Sequence, residues 1–164
     1  MKSLLNKTTR LHSCDLMPEI SVADSIVLSA AMASMTPWKE LGMTASVLNS
    51  YLLKEDPSLI RLSVRVSDSL AGVIMLRIPW LRGPYLELLC VLPEYQRLGI
   101  GRTVVIHLIN VASERFSNFW VCASEFNIPA LKFYESLGFK RKCVINDLVA
   151  EGRSEVLLQR RLSN

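Results

Sequence analysis

The stretch Tyr85 to Thr103 reads Y-L-E-L-L-C-V-L-P-E-Y-Q-R-L-G-I-G-R-T. Its first part, Leu86 to Leu92, is apolar enough for a buried strand. Pro93-Glu94-Tyr95 turns the chain, and a loop with Gly99 and Gly101 follows. An apolar-faced helix is predicted from about Arg102. A strand, a glycine loop and a helix start in this order line up backbone N–H groups at a helix N-terminus. Unpaired N–H groups and the helix dipole both favour negative charge there, phosphate above all.

Downstream, Val104, Val105, Leu108, Ile109, Ala112 and Phe116 form the helical stripe. Asn118 to Ser124 reads as a short buried strand, so strand, helix and strand make a right-handed crossover with a parallel pair. Asn127 is placed to cap a helix from Ile128 to Leu137, closed by Gly138. Phe139–Ile145 and Ser154–Leu162 are two further predicted strands around a loop at Asp147–Arg153. Upstream, Leu59 to Val66 alternates apolar and polar residues, as a half-buried antiparallel strand does. Ser67-Asp68-Ser69 turns it into Leu70–Trp80, which is more continuously apolar and therefore more central. Arg82-Gly83-Pro84 leads from there into the opening stretch, completing a three-stranded meander.

Lys7–Cys14 reads as a first strand, with Asp15 as the cap and Pro18 in the first turn of a helix reaching about Ser34. Thr36-Pro37-Trp38 is expected to start another helix, and Thr44 to cap a further one through Leu52.

The net charge of +4 suits an anionic ligand, and the basic residues are too scattered for a nucleic-acid footprint. The short basic runs at Lys140–Lys142 and Arg160–Arg161 read as solvated strand ends. The four cysteines show no metal-ligand spacing and no disulfide framework, so no metal is expected. His12 and His107 are isolated. The N-terminus M-K-S-L-L-N-K lacks the apolar run of a secretory signal, and no apolar run reaches the roughly 18 residues that span a membrane. A cytoplasmic protein without a membrane partner is the expectation.

The glycine loop fits the two best-known nucleotide patterns poorly. A P-loop needs a lysine after its last glycine, and Arg102 stands there. A dinucleotide loop needs a third glycine where Val104 stands. The remaining pattern is Gln96-Arg97-Leu98-Gly99-Ile100-Gly101, preceded by Val91-Leu92-Pro93-Glu94-Tyr95. A second element follows: Asn127-Ile128-Pro129-Ala130-Leu131-Lys132-Phe133-Tyr134-Glu135-Ser136-Leu137-Gly138-Phe139. Together, in this order, they resemble the GNAT superfamily of acetyl-CoA-dependent N-acetyltransferases over residues 85–140.

The resemblance implies an α/β fold of mixed α+β type, one GNAT-like domain over residues 1–164. Its central mixed sheet would have six to seven strands, mostly antiparallel with one parallel splayed pair, and helices on both faces. It implies acetyl-CoA as cosubstrate and an amine acceptor, small molecule or polypeptide. The acetyl group would move by direct attack in a ternary complex. The loop Gln96, Arg97, Leu98, Gly99, Ile100, Gly101, Arg102 and Thr103 would hold the pyrophosphate. The strand at Leu89, Cys90 and Val91 would bind the pantetheine arm as an added strand, with an N–H near Val91 facing the developing oxyanion. Asn127 would touch the arm, and Tyr134 would protonate the leaving thiolate, since a phenol is a proton donor at neutral pH.

Glu87, a carboxylate in an apolar strand on the face of Leu89 and Val91, is the expected base. Some family members place an acidic residue early in the following strand, but Phe119-Trp120-Val121-Cys122 has none. Glu125 ranks below Glu87. Trp38, Trp80 and Tyr85 could line an acceptor pocket or simply pack. Lys132 could reach a phosphate or face solvent. The acceptor's identity stays open, as does a homodimer. A non-catalytic acyl-CoA-binding module of the same fold is the competing reading. A nucleotide- or RNA-binding α/β protein is disfavoured by the missing P-loop lysine and the modest charge.

Overall fold

The computed structural model describes residue 1 and residues 5–162. Lys2, Ser3 and Leu4 of the N-terminal reading, and the last two residues, lie outside them. The chain builds one eight-stranded sheet in the order β1-β2-β3-β4-β5-β6-β8-β7. The strands are β1 Thr9–Arg10, β2 Asp15–Pro18, β3 Leu59–Val66, β4 Ser69–Trp80, β5 Gly83–Val91, β6 Asn118–Ser124, β7 Lys140–Ala150 and β8 Arg153–Arg161. Every neighbouring pair is antiparallel except β5 with β6. The helices are α1 Val22–Met32, α2 Ala45–Leu53, α3 Ile100–Ser113 and α4 Ile128–Ser136.

Alternation along the strands sorts side chains onto two faces. Ile74, Leu76, Leu86, Val121 and Leu158 join Val104, Leu108 and Leu131 in the core under α3 and α4. Val73, Met75, Leu88 and Cys90 join Leu28, Met32, Leu48 and Leu52 in the core under α1 and α2. β4 is buried on both faces from Ala71 to Leu76, which is why its sequence is a continuous apolar run. Helices thus cover both faces, as expected. Among the described residues no helix is long and apolar enough to cross a membrane.

Four expectations need correction. Of the predicted Lys7–Cys14 strand only Thr9–Arg10 is strand, and β2 follows where a helix start was expected, which brings the sheet to eight strands rather than six or seven. Asp15 caps nothing: it starts β2, which pairs Leu16 with Val64 and buries Leu16. The helix cap is Ser21, whose hydroxyl accepts from the Asp24 amide while Asp24 accepts from the Ser21 amide. Thr36–Trp38 starts no helix; the segment runs in turns up to the Thr44 cap of α2. The Asp147–Arg153 loop is instead mostly strand. β7 continues to Ala150 through a register shift, and Asp147 folds back to accept from the Gly152 amide at 2.6 Å.

Gly72 is a packing requirement. A Cβ built on it would lie 2.2 Å from the Cys90 carbonyl oxygen. Only glycine lets β4 and β5 approach at this point, and the contact shows that the Cys90 carbonyl points toward β4.

Candidate active site

β5 and β6 pair only at Tyr85–Trp120 and Leu86–Val121, and then part. The parting point coincides with a bulge: Leu88 pairs with Met75 and Leu86 with Leu76, leaving Glu87 as the extra residue. A bulge bends its strand and raises its twist, which turns β5 away from β6. Beyond it, Leu92 donates to Ala71 at 2.8 Å. The alternation of an antiparallel ladder then directs the N–H and C=O groups of Leu88 and Cys90 at β4, and those of Leu89 and Val91 at the gap. Of the three strand residues expected to meet an extended ligand, Leu89 and Val91 therefore present backbone, and Cys90 does not. The Cys90 thiol packs in the core under α1 and α2, where burial pushes it up to about 12.

The gap opens into a cleft of about 890 Å³ between the sheet, α2, α3 and α4, a size typical of small-molecule sites. At one end lies the glycine loop. Gly99 is the N-cap of α3 with φ of 80°, and Arg97 also has a positive φ, 62°. The helix begins at Ile100, slightly before the expected Arg102. Thr103 donates to Gly99 at 3.0 Å, and no backbone carbonyl among the described residues accepts from the amides of residues 97–102. These amides form a row of free donors. Gln96 braces the row by donating from Nε2 to the Val91 carbonyl at 2.9 Å. Gln96, Arg97, Gly99, Ile100, Gly101 and Arg102 all border the cleft. Leu98 and Thr103 do not: Leu98 is exposed, and the Thr103 hydroxyl accepts from Ser13.

In the middle stand Asn127 and Tyr134. Asn127 caps α4 by accepting from the Ala130 amide at 3.3 Å, which leaves its side-chain NH₂ free to donate toward the cleft. Tyr134 is buried, touches the rings of Phe133 and Phe139, and lines the cleft. Among the described residues nothing hydrogen-bonds its phenol. Burial holds that phenol well above its ordinary range, so it is protonated at neutral pH.

At the other end, the bulge corrects the expected face of Glu87. Its side chain lies with Leu88 on the α1–α2 side of the sheet, away from Leu89 and Val91. Oε2 accepts from Arg77 Nε at 2.5 Å, and Oε1 accepts from the Tyr51 hydroxyl at 2.7 Å and from Arg77 Nη2 at 3.1 Å. Arg77 also reaches Asp56 and Ser58. Trp38, Tyr51 and Tyr85 line this end; Trp80 stands behind, stacked on Tyr85 at 4.8 Å. Facing them across the sheet, Ser124 donates to a second carboxylate, Glu155, at 2.5 Å. Glu155 is 8% exposed.

Arg77, Tyr51, Ser124 and Glu155 escape a reading of the sequence. For Arg77 and Glu155 the only signal is a lone charge inside or beside an apolar run, and such a signal does not say which cleft the charge faces. His107 is half-buried on α3 outside the cleft, and neither Glu125 nor Lys132 borders it. Arg160 is not a solvated strand end: it donates to the Leu137 carbonyl and closes α4. No cluster of three or more His, Cys, Asp or Glu among the described residues is placed to hold a metal.

The family model for the acetyltransferase (GNAT) family matches residues 25–139. The [ribosomal protein bS18]-alanine N-acetyltransferase of Escherichia coli K12 is 32% identical over 69 residues, covering 40% of this chain and 47% of that protein. An N-alpha-acetyltransferase of Saccharolobus solfataricus is 28% identical over 110 residues, covering 59% of this chain and 66% of that protein. The chain thus spans about half the length of the first relative. The crystal structure of the ribosomal-protein-S18-alanine N-acetyltransferase from Escherichia coli superposes with a TM-score of 0.69 at 17% identity, covering 91% of this chain and 94% of that one.

Proposed function

The chain belongs to the GNAT acetyltransferase family, and from that premise we propose that it moves an acetyl group from acetyl-CoA to a primary amine by direct attack in a ternary complex. One observation carries the reading. A row of free loop amides, an open strand edge and an unbonded, protonated phenol share one cleft.

These residues suit acetyl-CoA. The amides from Arg97 to Arg102 are donors for a pyrophosphate at the positive end of α3. Leu89 and Val91 offer a strand edge to an extended amide-bearing arm. Asn127 offers its side-chain NH₂ beside that arm. Acetyl-CoA supplies an acyl group activated as a thioester. The Val91 N–H stabilises the negative charge that develops on the acyl oxygen, a contribution of about 3 kcal/mol for one well-aimed donor. Tyr134 gives its proton to the departing sulfur. Glu87, with both oxygens engaged, fixes Tyr51 in the acceptor wall and holds Arg77 outside it.

The acceptor class we assign is the free N-terminus of a polypeptide. Both curated relatives are named for N-acetylation, one of them on an alanine of a ribosomal protein. The test is calorimetry with acetyl-CoA, followed by thiol-detected CoA release with an acceptor panel. The panel contains peptides with free and with formylated N-termini, spermidine and an aminoglycoside. Binding without CoA release from any acceptor would favour the non-catalytic acyl-CoA module. No binding at all would overturn the reading.

A further inference from the structure

Two carboxylates border the cleft among the described residues, and their surroundings differ. Glu87 is held by a guanidinium and a phenol. Among the described residues Glu155 has one donor, the Ser124 hydroxyl, and forms no ion pair. We propose that Glu155 receives the acceptor's ammonium group and takes its proton; the proposal rests on the acyl-transfer reading above.

Placement supports it. Val121, Ala123, Val156 and Leu158 belong to the core under α3 and α4. Alternation therefore turns Ser124 and Glu155, which are register partners, to the other face, where Tyr51 and Trp38 stand. The Asn127 amide donates to the Ser124 carbonyl at 2.8 Å. The Ser124–Glu155 pair is thus tied directly to the cap of the helix that carries Tyr134.

A buried carboxylate needs a compensating partner. Among the described residues its neighbours supply none: Cys122 on β6 is a thiol, its partner on β7 is Ile145, and Arg153 of β8 lies over the Phe126 ring at 5.7 Å. Burial pushes the Glu155 carboxyl above the usual carboxylate range, against the pull of the Ser124 hydrogen bond. That direction suits a group that must accept a proton near neutral pH.

The protons balance as follows. The ammonium gives one proton to Glu155. The freed lone pair bonds to the thioester carbonyl carbon, the C–S bond breaks, and the sulfur takes the Tyr134 proton. The second proton on nitrogen replaces the Tyr134 proton through solvent, and Glu155 releases its own to solvent.

The same anionic end sets specificity. The unpaired Glu155 carboxylate attracts an amine but repels one that carries its own carboxylate beside it. A peptide N-terminus fits, and a free amino acid does not. Leu148 and Val149 of β7 border the cleft although half-exposed, and give the first side chain an apolar wall.

The test uses the full chain, with an unblocked peptide amide beginning with alanine, and free alanine, as probes. Glu155→Gln is expected to lower kcat/KM for the peptide about 100-fold and to remove the acidic limb of its pH profile. Its acetyl-CoA affinity should stay within about twofold, because the loop amides are untouched. Carbon-13 NMR of labelled glutamate should show one carboxyl titrating above the ordinary range, absent from the Gln variant. Free alanine should react at least about 100-fold more slowly than the peptide amide. A Glu155 titration at or below the ordinary range overturns the proposal, as does a Gln variant that keeps kcat/KM and the acidic limb. Loss of acetyl-CoA binding by the unaltered chain instead overturns the acyl-transfer reading, so the two failures are separable.

Discussion

Arg77 donates from Nε to Glu87 Oε2 at 2.5 Å, joining β4 to the bulged residue of β5. The pair explains why a charge interrupts each of two apolar strands. Its second arm reaches Asp56, just past the end of α2, and Glu87 in turn accepts from Tyr51 within α2. The bulge, the ion pair and the position of α2 are therefore one unit. Side-chain exposures of 27% for Arg77 and 12% for Glu87 place the pair between a surface bridge and a buried one.

Removing the cation should accordingly cost more than removing the anion. Arg77→Met leaves Glu87 partly buried with only the Tyr51 hydroxyl, and should lower unfolding free energy by about 2 kcal/mol. Glu87→Gln keeps a neutral acceptor and should cost about 1 kcal/mol. Urea unfolding of both variants and the double variant measures the coupling. Additive losses would show that the two side chains act separately.

The two loop glycines, alike in the sequence, should respond differently. Gly99 has φ of 80°, and a Cβ added to it would meet nothing within 4 Å, so a side chain there is refused by the backbone and not by neighbours. Gly99→Val should shift the loop out of its left-handed turn, cost about 1–3 kcal/mol of stability, and abolish detectable acetyl-CoA binding in calorimetry. At Gly101 a Cβ would meet Phe133 at 3.7 Å and Val91 at 3.8 Å, which is ordinary contact. Gly101→Ala should leave thermal unfolding unchanged.

Local chemistry explains what the sequence shows and what it hides. The apolar alternation of Leu59–Val66, the Asn127 cap and the glycine loop are decided by neighbours in the chain, and each stands where expected. The bulge at Glu87 is different. It is set by pairing with Met75 and Leu76, and a one-residue slip reverses the face of a side chain. Glu155 is hidden for the same reason: its meaning comes from Ser124 across the sheet, not from Arg153 or Val156 beside it. Asp15 shows the converse failure, since a residue that suits a helix cap was claimed by pairing with Arg65 on β3.

Tyr134 offers a separation of chemistry from folding. Its phenol makes no hydrogen bond among the described residues, while its ring packs against Phe133 and Phe139. Tyr134→Phe keeps the packing and deletes only the proton donor. Stability should change by less than about 0.5 kcal/mol, acetyl-CoA affinity should hold, and turnover should fall about 100-fold. Unchanged turnover would remove Tyr134 from the reaction.

The carboxylates also predict opposite pH dependences of stability. Asp24 lies below the usual range: burial opposes this, but hydrogen bonds from Ser21 and Arg65 outweigh it. Asp56 is held low by Ser58 and Arg77. Each stabilises the fold above the unfolded carboxylate range, and that contribution is lost as pH falls through the lowered native value. Glu155 runs the other way. Its native value is raised by burial, so between the ordinary glutamate range and that raised value the native state binds more protons than the unfolded chain. Stability therefore falls as pH rises through this window, and the full penalty is present above it. Glu155→Gln removes the charge while its amide oxygen can still accept from Ser124. The variant should melt at a higher temperature than the unaltered chain at about pH 8, and at the same temperature below about pH 4, where glutamate is protonated in both states. Melting curves across this range decide the matter. A Gln variant less stable at high pH would show that the carboxylate is stabilised where it sits, and would remove the reason to expect an ammonium there.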